Sequence, residues 1–97
     1  MENVKVVIRN IRGEVQLFSD DKKAGKMDIA LVEDTLTVYH TEVDPAFEGK
    51  GFGRLLLEGL VSYARENGLK IIPLCPYVHA QFKRRPEEYN DVWQKND

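Results

Sequence analysis

The stretch Glu48-Gly49-Lys50-Gly51-Phe52-Gly53 sets three glycines on alternate positions directly before the leucine-rich run Leu55, Leu56, Leu57 and Leu60. A glycine-rich turn that opens a helix is an anion site in physical terms. The first backbone N–H groups of the helix lack partners, the dipole is positive there, and missing Cβ atoms let phosphate oxygens come close. Lys50 and Arg54 would add positive charge at the same place. Spacing excludes two phosphate loops. A Walker loop requires Lys and then Ser or Thr after its last glycine, whereas Gly53 is followed by Arg54 and Leu55. A dinucleotide loop requires glycines at its first, third and sixth positions, and counting from Gly49 and Gly51 puts Arg54 at the sixth. The competing reading is purely structural, a loop kept small so that a helix can seat on a sheet.

Other side chains could do chemistry nearby. In the segment TLTVYHTEVD, strict alternation puts Leu36, Val38, His40 and Glu42 on one face and Thr37, Tyr39, Thr41 and Val43 on the other, so His40 and Glu42 are neighbours. A single histidine in a strand also serves as a structural hydrogen-bonding group. Cys75 precedes Pro76 and a helix start, a setting that activates a thiol whose sulfur faces it; the alternative is a small buried thiol that fills space. His40, Cys75 and His79 have no recognised metal-ligand spacing, so no metal is expected.

The elements that must position these groups follow from periodicity. VKVVIRN (residues 4–10) and EVQLFSD (residues 14–20) read as a hairpin with Gly13 in the turn. GKMDIALVED and TLTVYHTEVD repeat the arrangement around Glu33 and Asp34. From Gly53 to Asn67 the apolar residues recur at helical spacing, and Asn67-Gly68 is a stop. LKIIPLC is a short buried strand whose Pro73 requires an edge or the end of pairing. Pro76 opens a second helix and Pro86 a short third one. The expected fold is α+β, in the order β-β-β-β-α-β-α, with helices packed on a mostly antiparallel sheet.

Ninety-seven residues with 42% hydrophobic and 31% charged content fit one domain, 1–97. A net charge of -2 argues against a protein that holds nucleic acid by bulk positive field. One cysteine cannot close an intramolecular disulfide, and MENVKVVIRN has no apolar signal core. No apolar run reaches the ~18 residues of a membrane span. The expectation is a cytoplasmic monomer with neither a nucleic-acid nor a membrane partner.

HTEVDPAFEGKGFG together with PLCPYVHAQFKRRPEEY resembles the small single-domain branch of the GNAT superfamily of N-acetyltransferases, over approximately residues 4–92. Glu48 departs from the Arg or Gln that usually opens that superfamily's glycine motif. The resemblance implies acetyl-CoA as co-substrate, with its pyrophosphate on the amides of Gly49, Lys50, Gly51, Phe52, Gly53 and Arg54. It also implies a main-chain N–H at Glu42 or Val43 for the thioester carbonyl, and His40 or Glu42 as the base that deprotonates a small-molecule or peptide amine. Tyr77 or Tyr89 would protonate the departing thiolate, and Lys83, within Lys83–Arg85, would meet the 3'-phosphate. Cys75 would either line the cleft or carry the acetyl group transiently, direct attack being the superfamily's usual route. Two other functions fit the same residues: a CoA or acyl-CoA binding module with little catalysis, and a protein-interaction domain.

Overall fold

The computed structural model describes residues 1–95. Its elements are β1 (Glu2–Arg9), β2 (Arg12–Ser19), β3 (Lys22–Val32), β4 (Thr35–Val43), a 3-10 turn (Pro45–Phe47), α1 (Phe52–Glu66), β5 (Lys70–Pro73), α2 (Pro76–Arg84) and α3 (Pro86–Tyr89). The sheet has five strands in chain order, β1-β2-β3-β4-β5. The first four are antiparallel; β5 returns through α1 to lie parallel to β4 at the edge. That edge position is what makes Pro73 tolerable as the last paired residue of β5.

The chain reverses where polar residues, three of the four of them short Asn or Asp, adopt a left-handed backbone. Asn10, Asp20, Asp21 and Glu33 all have φ between 49° and 69°. The first turn is therefore Asn10-Ile11, and Gly13 lies inside β2, paired with Ile8. Its glycine answers to packing instead of turning: a Cβ there would run into the carbonyl of Val7.

α1 buries Phe52, Leu56, Leu57, Leu60, Val61 and Ala64 along one stripe. The stripe meets Val15, Leu17, Met27, Ile29, Leu36 and Val38, each no more than 1% exposed, on one face of the sheet. Asn67 closes the helix and Gly68 takes φ 65°, the expected left-handed stop. α2 contributes Val78 and Phe82 to the same core, and Phe82 stacks on Tyr89 at 4.7 Å and leans on Trp93 at 5.6 Å. None of the described helices is long and apolar enough to cross a membrane.

The other sheet face carries polar rows. Lys26 Nζ lies 3.0 Å from Asp28, 3.5 Å from Glu14 and 3.6 Å from Glu42, while Lys23 Nζ donates to Glu14 at 2.8 Å. Lys23 first, then Gln16, hold the Glu14 carboxyl down at about 2. A depressed carboxylate pKa contributes stability that is present above its unfolded value and lost as pH falls through the folded one. Glu14 should thus lend stability above about pH 4.5 that fades toward about pH 2. With Lys23 and Glu14 side chains 43% and 29% exposed, solvent screening trims this to ~1 kcal/mol. Acid unfolding of Glu14→Gln should begin from lower stability at pH 7 and show a shallower slope between pH 5 and 3 than the parent, read by circular dichroism.

Candidate active site at the split between β4 and β5

Between β3 and β4 the register shifts at Asp28/Ile29: Asp28 faces His40 while Ile29 faces Val38, so Tyr39 is an extra residue. A bulge of one residue reverses which side of the sheet all later side chains face. The expected grouping of Leu36, Val38, His40 and Glu42 on one face is therefore corrected. Leu36 and Val38 face the core, and after Tyr39 that face continues through Thr41 and Val43. His40 and Glu42 turn to the open face. They remain neighbours, with Nε2 and Oε2 4.0 Å apart and side chains 60% and 55% exposed.

The same bulge coincides with the end of β4–β5 pairing. Val38 is the last β4 residue paired with β5, opposite Pro73, and Cys75 N–H adds one more bond to Val38 O at 2.9 Å. Beyond it β5 ends and the chain turns into α2. On the β3 side, Asp44 N–H donates to Ala24 O at 2.8 Å, one step past the Gly25–Val43 pair. In an antiparallel ladder alternate residues bond to the neighbour. The backbone groups of Glu42 thus point to β3, and those of Thr41 and Val43 point into the gap left by β5. Of the two expected carbonyl donors, the register favours Val43. A cleft of about 350 Å³ lined by Ala24, Gly25, Glu42, Val43, Asp44 and Pro45 adjoins this end of β4, rimmed by Lys23 and Lys26.

The glycine loop follows directly. Asp44 caps the 3-10 turn, its carboxylate accepting from Ala46 N–H at 2.9 Å, and the chain then reaches Gly49 and Gly51. Both have left-handed backbones, φ 82° and 74°, and a Cβ on either would meet nothing within 4 Å. These two glycines are needed for the turn, and the space beside them is open. Gly53 differs. It is helical, and a Cβ there would sit 3.4 Å from the ring and hydroxyl of Tyr77. Gly53 thus lets Tyr77 of α2 pack on the first turn of α1.

Gly51 caps α1 without a side-chain hydrogen bond, and the first bond of the helix runs from Leu55 N–H to Gly51 O at 3.3 Å. The N–H groups of Phe52, Gly53 and Arg54 precede that ladder, and no acidic residue stands in the first turn. Phe52 itself is buried, its ring stacked on Phe47 at 5.7 Å, so it anchors the loop to the core. Lys50 lies over Phe47 at 5.9 Å, and Arg54 makes a loose ion pair with Glu58 at 3.5 Å, both ends more than 60% exposed. Such exposed contacts are weak and leave both cations available to an anion.

Cys75 is 2% exposed, and its sulfur lies 3.1 Å from Thr41 Oγ1. It caps α2 without a side-chain bond to the helix amides. Burial raises the Tyr77 hydroxyl pKa, a shift partly offset by Arg54, so this phenol stays protonated at neutral pH. Tyr89 is raised for the same first reason, but its ring is committed to the stack on Phe82. Lys83 is exposed in the last turn of α2. At about 100° per residue it stands about 120° round the helix from Tyr77, whereas Arg84 is within about 20° of Tyr77. Arg85 pairs with Glu88 at 3.9 Å.

The expected residues thus form two groups. Val43, Cys75, Tyr77 and residues 49–54 gather at the core-face end of β4, and His40 and Glu42 stand on the opposite face. Thr41 belongs to the first group although sequence spacing did not single it out, and within Lys83–Arg85 the helical angle puts Arg84 on the Tyr77 side of α2. Alternation without a bulge sends Thr41 to the wrong face, and nothing in a run of three cations marks its middle one.

Residues 14–92 match the sequence profile of a family described as GCN5-related N-acetyl-transferase. Over 55 residues, 57% of this chain and 37% of the relative, the chain is 34% identical to the [Ribosomal protein bS18]-alanine N-acetyltransferase of Salmonella typhimurium. The crystal structure of the ribosomal-protein-S18-alanine N-acetyltransferase from Escherichia coli superposes with a TM-score of 0.62 at 27% identity, covering 68% of this chain and 43% of that one. The solution structure of a GCN5-like protein from Staphylococcus aureus shares the fold over 100% of this chain and 94% of its own, with a TM-score of 0.66 at 24% identity. The chain spans less than half the length of the first two relatives. Because the profile runs from β2 through the glycine loop and the split strands to the segment after α3, the chain belongs to the GCN5-related N-acetyltransferase family.

Proposed function

We propose that this protein is a single-domain enzyme that transfers the acetyl group of acetyl-CoA to a small-molecule or peptide amine by direct attack, acting as a cytoplasmic monomer. One observation carries the reading: β4 parts from β5 next to a helix start whose first amides lack partners and whose two left-handed glycines face open space. Those features suit a diphosphate followed by an extended arm. Phe52, Gly53 and Arg54 amides would hold the diphosphate with Lys50 and Arg54, and Lys83 or, from its place on the Tyr77 side of α2, Arg84 would be the outlying phosphate contact.

When bound, acetyl-CoA supplies an activated acyl group. The chain's own residues do the rest. Val43 N–H is aimed into the gap and donates to the carbonyl oxygen, a contribution typically worth about 3 kcal/mol in the barrier. Glu42 lines the adjoining cleft, with His40 beside it, and either accepts the proton of the incoming ammonium. Tyr77 keeps its proton at neutral pH and delivers it to the leaving thiolate. Cys75, buried against Thr41, lines the apex of the gap.

The test is thiol release from acetyl-CoA in the presence of a panel of amines, alongside thermal shifts with acetyl-CoA, NAD and ATP. Amine-dependent release and a melting temperature raised most by acetyl-CoA are expected. Release no faster than spontaneous hydrolysis with every amine would overturn the transferase reading, and a thermal shift in that same protein would leave a CoA-binding module. Tyr77→Phe should lower kcat about tenfold with little change in the acetyl-CoA shift.

A further inference from the structure

Thr41 and Cys75 meet at the place where the two strands stop pairing. Thr41 reaches that place only because the Tyr39 bulge turns it to the core face. Its Oγ1 lies 3.1 Å from Cys75 Sγ. Among the described residues, this is the one side-chain hydrogen bond that joins β4 to the segment between β5 and α2. Just before it, Cys75 N–H bonds Val38 O at 2.9 Å as the last backbone rung. Two residues beyond Thr41 is Val43, whose amide points into the gap by the alternation of the ladder.

We propose that the Thr41–Cys75 hydrogen bond is a clasp that fixes how far β4 and β5 part, making Thr41 a positioning residue for the Val43 amide. The inference rests on the acetyl-transfer reading for its consequence but not for its structural content. A splayed pair of strands has no ladder to hold its separation. The clasp supplies one lateral tie at the apex, and Cys75 is buried there because its sulfur is the other half of that tie. This role needs an atom able to donate or accept at position 75 and no nucleophile. It separates two chemistries that otherwise look alike: a nucleophilic thiol fails when replaced by a hydroxyl, whereas a clasp survives.

The test combines hydrogen exchange of the Cys75 amide with steady-state kinetics on Thr41→Val, Thr41→Ser, Cys75→Ala, Cys75→Ser and the Thr41→Val/Cys75→Ala double variant. Loss of the clasp in Thr41→Val, and in the residue-75 amide of Cys75→Ala, should speed exchange about fivefold to tenfold, while Thr41→Ser and Cys75→Ser keep the parent's protection. In kinetics, Thr41→Val should lower kcat about tenfold with the KM for acetyl-CoA within about twofold, and Thr41→Ser should recover most of it. The double variant should be no worse than the poorer single one, because both remove the same bond. Exchange and kcat in Thr41→Val equal to the parent, or additive losses in the double variant, would overturn the clasp. Should the parent turn over no amine, the exchange arm decides the clasp alone, so its failure and that of the transferase reading are told apart.

Discussion

A Gly51→Val protein is expected to bind acetyl-CoA about a hundredfold more weakly than the parent, about 2.7 kcal/mol, while remaining folded. Gly51 has φ 74°, a region that costs a β-branched residue of order 1–2 kcal/mol. A Cβ there meets nothing within 4 Å, so no internal collision adds to that strain. In the proposed reading, the open space it enters is the one the diphosphate takes before the Phe52, Gly53 and Arg54 amides. Gly51→Asn separates the two effects, since asparagine tolerates the left-handed backbone yet still fills the space. Its melting temperature should stay close to the parent's while binding, measured by calorimetry, still falls at least tenfold. Parental affinity in the asparagine variant would show that the glycine serves the turn alone.

The largest stability loss should come from Phe82→Ala. Phe82 is fully buried and packs between Tyr89 and Trp93, so one ring joins α2, α3 and the segment after α3 to the core. Removing a buried aromatic ring of this kind typically costs 3–5 kcal/mol. In a domain of this size, that corresponds to a drop in melting temperature on the order of 15 °C or more, readable by calorimetry. Because α2 also carries Tyr77 against Gly53, activity in the folded fraction should fall as well. Phe82→Leu, which keeps most of the volume, should lose less than half as much.

Much of this architecture was legible in the chain because local signals agreed with one another. The leucine stripe, Asn67-Gly68, and the prolines at 73, 76 and 86 each mark an element end where it is found. The glycine loop was legible as well, although its glycines divide the work: two serve a left-handed backbone and the third makes room for Tyr77. What was hidden depends on long-range packing. Gly13 reads as a turn residue, yet it is a strand residue kept bare by the neighbouring carbonyl of Val7. The Tyr39 bulge has no local signature, and it alone decides that Thr41 joins Cys75 while His40 and Glu42 face away. A single inserted residue thus reassigns half of the candidate site, which period-two reasoning has no means to anticipate.

Backbone amide resonances report directly whether a coenzyme diphosphate sits at the start of α1. Titrating nitrogen-15-labelled protein with CoA should shift the amides of Phe52, Gly53, Arg54 and Val43 in a saturable manner, with Lys50 and Arg54 side chains following. Saturable shifts confined to the open sheet face around His40, Asp28 and Lys26, or no shifts at millimolar CoA, would contradict that placement.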